Sequence, residues 1–279
     1  MKVGLAFNPT IAAATELRDR ASAWLAAKGV EHWAAPAADR TTLHANLPGS
    51  DVLVVLGGDG TFLRAARAVI EDDVPLLGIN VGKVGFLSKV EAGALDRVLG
   101  QLLAGEFLLE HRMALEGRII RADGDATDIG RIVALNDIVV ARGSLARVVR
   151  LEVSIDASHL ATFVSDGLIV ASPTGSTGYS FSAGGPILDP TARNLVVTPI
   201  AGYLTTIRSV VVGPAALVSC RVLDAHEALV SIDGREDLPI AIGDVVEIRA
   251  IERPIRFVEP EGSLPFWDLL RRKVELLPS

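Results

Sequence analysis

The sequence predicts an α/β domain with a parallel sheet, a β-rich domain after it, and a C-terminal helix that packs back on the first domain. Three observations predict this. Up to about residue 110, short apolar runs alternate with segments of helical spacing. Beyond that point, short strand-like runs follow one another between turn residues. The tail then regains helical spacing. The expected boundaries are 1–110 for the α/β domain, 111–258 for the β-rich domain and 259–279 for the returning tail.

Residues 3–7 form an apolar run stopped by Asn8-Pro9, which reads as a buried strand. Leu17, Ala21, Trp24 and Leu25 follow at helical spacing, and Gly29 stands where a helix stops. Residues 52–56 are a second strand, directly followed by Gly57 and Gly58. Phe62, Leu63, Ala66, Val69 and Ile70 mark a second helix, and 76–79 a third strand. Strands alternating with helices imply a parallel sheet with crossover helices. Such sheets bind ligands at the carboxyl ends of their strands, where the turn after Leu56 falls. In the β-rich part, strands are expected at 115–120, 132–140, 151–155, 168–171, 210–212, 217–222, 229–232 and 245–250, with one helix near 176–183. The tail 267–274 has helical spacing.

Composition narrows the function classes. Hydrophobic residues make up 49% and charged residues 22% of the 279 residues, a composition able to bury a sizeable core. The net charge of −7 supplies no basic footprint, so neither a nucleic acid nor an anionic membrane is the expected partner. An anionic substrate must be held by local groups against the overall field. The one cysteine, Cys220, lies in the apolar run 217–222 and is expected to be a buried strand residue. The opening residues do not read as a signal peptide, and no run reaches the roughly 18 apolar residues of a spanning helix. A cytoplasmic protein is the expectation.

Gly57-Gly58-Asp59-Gly60-Thr61 is the first chemical signal. Its glycines allow a sharp turn and a close backbone approach, and its N–H groups with the following helix start can hold phosphate oxygens. A carboxylate inside an anion-binding turn is electrostatically awkward. A base for an attacking hydroxyl explains Asp59; so does a cap at a tight turn. There is no GxxxxGK[ST] sequence, which excludes a P-loop enzyme. Asn80-Val81-Gly82-Lys83-Val84-Gly85-Phe86-Leu87 follows the third strand and reads as an irregular loop at the same edge.

In 134–140, Asn136 and Asp137 stand inside an otherwise apolar strand. Such a pair must be satisfied by the protein or by a ligand. Asn offers donor and acceptor and a carboxylate accepts two hydroxyls, which suits a ribose diol. Residues 165–186 run from strand through a hydroxyl-rich turn, Thr174-Gly175-Ser176-Thr177, to a helix start. Tyr179 there offers a flat ring to a base. Ser231-Ile232-Asp233-Gly234-Arg235 is by itself an ordinary Asp-Gly hairpin turn. Arg147, after Asp137, suits a phosphate contact and equally a solvated position. No histidine has metal-ligand spacing, and no hydrolase triad signature is present.

These segments carry a resemblance. The turn at 57–61 resembles the phosphate-binding turn of a kinase superfamily that includes NAD kinases, diacylglycerol and sphingoid lipid kinases, and phosphofructokinases. Residues 80–87 resemble the NxGxxGFL segment of NAD kinases. Residues 165–186 closely resemble their DGLIVSTPTGSTAY…SAGGP signature, with Gly178 in place of the usual alanine. Asn136-Asp137 resembles their Asn-Glu pair, one methylene shorter at Asp137. Residues 231–234 resemble their SxDG turn, with Arg235 where Gln is common. Residues 198–201 resemble their TPI segment, whereas 202–208 depart from its usual continuation.

The resemblance implies transfer of a phosphoryl group from ATP or polyphosphate to the 2′-hydroxyl of the adenosine ribose of NAD, giving NADP. It implies that Asp59 is the base or orienting group, and that Gly57, Gly58, Gly60 and Thr61, with Arg64, cradle phosphates. Asn136, Asp137, Asp166, Thr174, Thr177, Gly178, Tyr179, Ser180, Phe181, Ser182 and Ala201, with Asp233 and Arg235, would hold the dinucleotide. A divalent metal, magnesium by its chemistry, would arrive with the donor; no side chain is assigned as its ligand. Homo-oligomers, dimers or tetramers, are also implied. Two alternatives stand beside this reading: a lipid kinase of the same superfamily and a non-catalytic NAD(P)-binding module.

Overall fold

The computed structural model describes residues 1–123, 132–144, 147–203 and 206–275. Leu204 and Thr205, within the altered segment 202–208, lie outside the described residues. The chain divides into two compact units: Met1–His111 together with the chain from Ile255, and Arg112–Pro254.

The first unit opens with β1 (Lys2–Phe7), α1 (Ala12–Ala27), β2 (Glu31–Pro36), α2 (Arg40–Asn46), β3 (Val52–Leu56), α3 (Asp59–Asp72), β4 (Leu76–Asn80), β5 (Val90–Glu91), α4 (Leu95–Ala104) and β6 (Phe107–Arg112). Every residue of β3 and β4 is buried. Parallel strands covered on both faces have no solvent side, which is why both read as unbroken apolar runs. Buried Ala14, Leu17, Ala21 and Leu25 fall three or four apart on α1 and form one face. That face packs on Val3, Leu5, Val52 and Val54, together with Leu95, Val98 and Leu102 of α4.

The second unit comprises β7 (Leu115–Ile120), β8 (Ile132–Ala134), β9 (Asp137–Arg142), β10 (Val149–Ile155), β11 (Ser158–Ser165) and β12 (Gly167–Ala171). A 3-10 turn (Thr174–Thr177) and α5 (Tyr179–Ser182) follow, then β13 (Leu195–Ile200), β14 (Val210–Val212), β15 (Val218–Asp224), β16 (Ala228–Ile232), β17 (Glu236–Ile240) and β18 (Val245–Ala250). Among the described residues these strands form two six-stranded sheets, in the orders β11-β10-β15-β18-β7-β8 and β14-β13-β12-β9-β16-β17. Their paired neighbours run antiparallel. Side chains from both sheets, including Leu151, Val153, Val140, Leu168 and Val170, share one core. Cys220 is buried in β15, and burial pushes its thiol up to about 12.

The chain then returns to the first sheet as β19 (Ile255–Pro260), which pairs parallel with β4 through Phe257 and Leu76. The sheet order is β2-β1-β3-β4-β19-β6, with β5 beside β4. The first unit therefore takes back a whole strand, and residue 258 falls inside it. Next comes α6 (Phe266–Glu275), whose Phe266 ring lies 5.9 Å from Phe86, with Lys273 Nζ 4.9 Å above the Phe86 ring. The expected return of the C-terminal helix to the first domain is observed.

Three local expectations are corrected. Residues 31–46 hold a strand and a helix that the apolar pattern did not signal. β2 is an edge strand with one fully buried residue, and α2 is a short polar helix capped by Asp39, which accepts from Thr42 N at 3.0 Å. The single strand expected over 132–140 is two strands in different sheets, because the chain crosses from one sheet to the other at Leu135 and Asn136. The helix expected near 176–183 is split at Gly178, whose φ of −96° and ψ of −129° are not helical.

Phe62, fully buried on α3, meets Phe257 of β19 with ring centroids 4.8 Å apart. It ties the helix that begins at Asp59 to the returning strand. Phe62→Ala is expected to cost about 3–5 kcal/mol, read as a lowered urea midpoint; a loss under about 1 kcal/mol would show that the contact is dispensable.

Candidate active site

In the first unit, β3 delivers the glycine turn to the carboxyl edge of the sheet. Gly57 N donates to Ile79 O at 2.9 Å, which sets the turn beside the end of β4. Gly58 is the extended N-cap of α3, and its carbonyl accepts from Thr61 N at 2.8 Å and Phe62 N at 3.1 Å. Asp59 and Gly60 open the first turn of the helix, where amides lack intrahelical acceptors and the dipole favours an anion. Thr61 is buried, and Arg64 is half-buried one turn on.

The Asp59 carboxylate does not point into an empty turn. Oδ2 accepts from Phe86 N at 2.9 Å; Oδ1 accepts from Leu87 N at 3.0 Å and Ser88 N at 3.1 Å. A side chain at Gly85 would collide with this carboxylate, so the close approach requires glycine there. Asn80 shapes the start of the same loop: its Oδ1 accepts from Gly82 N at 2.7 Å and its Nδ2 donates to Lys83 O at 2.8 Å. The two motifs at 57–61 and 80–87 are thus one hydrogen-bonded assembly.

In the second unit, Asn136 sits at the crossing between the sheets and Asp137 is the first residue of β9. The crossing is held from the hairpin after β16. Asp233 Oδ2 accepts from Leu135 N at 3.1 Å, and its Oδ1 accepts from Asn136 N at 2.8 Å and Asp137 N at 3.2 Å. From the other side, Ser172 N donates to Asn136 O at 2.8 Å and Ser172 Oγ donates to Leu135 O at 2.5 Å. Gly175 packs so closely on the Asn136 carbonyl that any Cβ would strike it. A methyl at Gly178 would lie 3.9 Å from both Asn136 Nδ2 and Asp137 Oδ2. The turn at 174–178 and the Asn136-Asp137 pair therefore form one cluster.

Within that cluster, Asn136 Oδ1 is buried and has no hydrogen-bond partner among the described residues. Asp137 is 5% exposed. Burial first, and the charge of Asp233 second, push its carboxyl up to about 7. Thr174 is buried and accepts from Nη1 of the buried Arg112 at 3.3 Å. Arg112 carries no motif and was not anticipated. Thr177 Oγ1 donates to Thr174 O at 3.3 Å. Ser180 turns inward, sharing a hydrogen bond with Thr198 at 3.2 Å. Tyr179 and Phe181 are about half exposed, at 48% and 49%, and Ser182 is exposed.

The remaining residues lie elsewhere in this unit. Asp166 precedes β12, whereas Thr174 follows it, so the strand separates them by about 17 Å. Asp166 is paired with Arg142, Nε to Oδ1 at 2.7 Å and Nη2 to Oδ2 at 3.3 Å, and its amide donates to Ile200 O beside Ala201. Ala201 is exposed with φ of +47°. Arg147 and Arg235 are exposed.

The Asp137 carboxyl gives a pH signature. Its folded value of about 7 exceeds the ordinary 3.8, so across that window the unfolded chain loses a proton that the folded chain keeps. Its contribution is fully present below pH 3.8 and is lost as pH rises through about 7. Asp137→Asn removes this loss and is expected to raise the Tm by several degrees at pH 8. Thermal scans from pH 4 to 8 test it; parallel wild-type and variant curves would refute the assignment.

Two family models match the chain: the ATP-NAD kinase N-terminal domain over residues 28–107 and the ATP-NAD kinase C-terminal domain over residues 135–260. The chain is 40% identical over 260 residues to the NAD kinase of Syntrophotalea carbinolica, covering 90% of each protein. It is 44% identical over 225 residues to that of Symbiobacterium thermophilum, covering 80% of this chain and 78% of the relative. Its fold is similar to that of yeast NADH kinase solved with NADH, at a TM-score of 0.83, 23% identity, and coverage of 99% of this chain and 87% of the other. It is also similar to that of an NAD kinase from Archaeoglobus fulgidus solved with ATP, at a TM-score of 0.79 and 24% identity over the whole of both chains. On the family models and these curated relatives, the chain belongs to the NAD kinase family.

Proposed function

We propose that this protein phosphorylates NAD to NADP, with ATP or polyphosphate as donor. The observation that carries the reading is the Asn136-Asp137 cluster, in a chain of this family. A buried amide oxygen without a partner stands beside a buried carboxyl, and both are acceptors that match the donor pair of a ribose diol. Tyr179, half exposed at the edge of the same cluster, supplies a ring for a base.

In this reading the ribose 2′-oxygen attacks the terminal phosphorus of the donor, and the bond from phosphorus to the leaving oxygen breaks. The hydroxyl proton passes to Asp59, and ADP (or the shortened polyphosphate) leaves. A carboxylate offers about four acceptor sites; three are taken by the amides of residues 86–88, which leaves one for a substrate hydroxyl. The first turn of α3, with Thr61 and Arg64, receives donor phosphates. Magnesium enters with the donor as part of the substrate. Among the described residues no group of three His, Cys, Asp or Glu side chains could hold an ion of its own. Bound with the donor, the ion neutralises charge on the transferring phosphoryl group.

Asp166 and Ala201 stand at the far end of β12 from Asn136 and Asp137. They are kept as proposed dinucleotide contacts on the family resemblance, which also implies a homo-oligomer. Cytoplasmic location is carried over on the same ground. No observation favours the lipid-kinase or non-catalytic readings.

Incubation of the protein with NAD, ATP and magnesium should yield NADP, measured enzymatically; no NADP with either donor would overturn the proposal. Asp59→Asn should lower turnover by about 10²–10⁴-fold while NAD binding, followed by calorimetry, stays within a few fold. Wild-type turnover in the variant would make Asp59 purely structural. Tyr179→Ala should raise the Michaelis constant for NAD by an amount equivalent to about 1–3 kcal/mol and leave that for ATP unchanged. A core role would instead lower the Tm and spare both constants.

A further inference from the structure

We infer that Asp233 is a positioning residue for dinucleotide binding, holding the crossing at residues 135–137 in the one shape that presents the Asn136 amide and the Asp137 carboxyl to the ribose. The inference rests on the proposed function for the identity of the ligand, but not for the geometry.

Asp233-Gly234 is the turn between β16 and β17, with φ of +50° and +67° at its two residues and Arg235 N donating to Ile232 O at 3.1 Å. Asp-Gly is common in such turns because both residues tolerate the left-handed region. An aspartate serving only its own turn hydrogen-bonds its own backbone. This one reaches about a hundred positions back along the chain. Both its oxygens are spent on three consecutive amides at 2.8–3.2 Å. Its own amide donates to Asp137 O at 3.0 Å, closing the bridge in the reverse direction. The residue is 7% exposed, and both carboxylate oxygens are engaged by backbone amides.

The crossing needs such a device. Between two sheets, residues 135–137 cannot pair all three amides in a ladder, and a buried amide without an acceptor is costly. Ser172 and Gly175 fix the carbonyl side of the same segment. Asp233 fixes the amide side, so the Asn136 and Asp137 side chains have a defined root.

The charge of Asp233 has a second effect, since it opposes ionisation of Asp137. Other elements around Asp137 contribute no such charge among the described residues. β12 and the turn Thr174–Thr177 contain no ionisable group, Arg235 is exposed, and Arg112 reaches Thr174. Asp233 thus fixes the backbone that carries the Asp137 carboxyl and, after burial, adds to the rise in the pH at which that carboxyl ionises.

Two variants separate these effects from general stability. Asp233→Gly removes the carboxylate without straining the left-handed backbone. Asp233→Asn keeps the backbone and one acceptor oxygen but removes the charge. For Asp233→Gly, the Michaelis constant for NAD should rise on the order of tenfold or more, with that for ATP unchanged. For Asp233→Asn the rise should be smaller, and the pH at which kcat/KM for NAD changes should move lower. An unchanged constant for NAD in Asp233→Gly, or equal rises for NAD and ATP, would overturn the inference. So would superimposable pH profiles for wild type and Asp233→Asn, which also decide the matter if the glycine variant does not fold. If the wild type makes no NADP, the functional reading fails and this one with it; NADP formation with unchanged constants sinks this one alone.

Discussion

In each unit, a carboxylate that accepts three consecutive backbone amides organises the candidate site residues found there. Asp59 takes the amides of residues 86–88, one on Oδ2 and two on Oδ1. Asp233 takes those of residues 135–137 in the same division. The reason is common to both. A segment that must offer groups to a ligand cannot also lie in a regular ladder, so its amides need another acceptor. A carboxylate, with about four lone pairs on two oxygens, satisfies several amides at once with bonds stronger than neutral ones. Each of these aspartates is followed by a glycine, Gly60 and Gly234, and neither lies in a regular strand: Asp59 opens α3 and Asp233 lies in the hairpin turn after β16. Asp244 repeats the theme away from the site: its oxygens accept from Ala122 N, Ala241 N and Arg121, and these bonds and the guanidinium hold its carboxyl below the usual range.

This constraint joins fold to chemistry. The amides of residues 86–88 fix the Asp59 carboxylate in space, so no side-chain rotamer has to be frozen when a substrate arrives. Preorganisation of this kind saves ordering entropy at the moment of reaction. It also resolves the apparent conflict of an acid inside a phosphate turn. The negative charge is already answered by three N–H dipoles, and α3 starts at that residue, where its own dipole favours an anion. The cap reading of Asp59 is not met, since Gly58 is the N-cap of α3; the Asp59 carboxylate organises the loop at 86–88 instead, and in the proposed reaction it still has an acceptor site to offer.

How far the sequence could be read follows from what each segment buries. β3 and β4 were legible because strands buried on both faces leave an uninterrupted apolar run. β2 was not, because an edge strand with the sequence EHWAAP carries neither a run nor a clean alternation. The run 132–140 looked like one strand because apolar periodicity cannot register a change of sheet; the polar pair in its middle was the only sign of the break. The motifs were recognisable as strings, but the destinations of their side chains were not. Ser180 faces the core and Thr198, Asp166 answers Arg142, and Asp233 serves a segment far earlier in the chain. Arg112 could not have been found, since a lone arginine at a strand end resembles any surface arginine until burial is known.

The departure from the family pattern at position 137 acquires a physical meaning in this setting. Aspartate keeps its carboxyl one methylene nearer the backbone than glutamate would, and the backbone there is held against Asp233. Proximity to that charge and loss of solvent both disfavour the ionised form. A diol donating two hydrogen bonds favours the ionised form instead. In the proposed function, binding and proton release at this carboxyl are linked: a diol gains most where the carboxyl is already ionised, and near neutrality it must displace a proton to gain the same contacts.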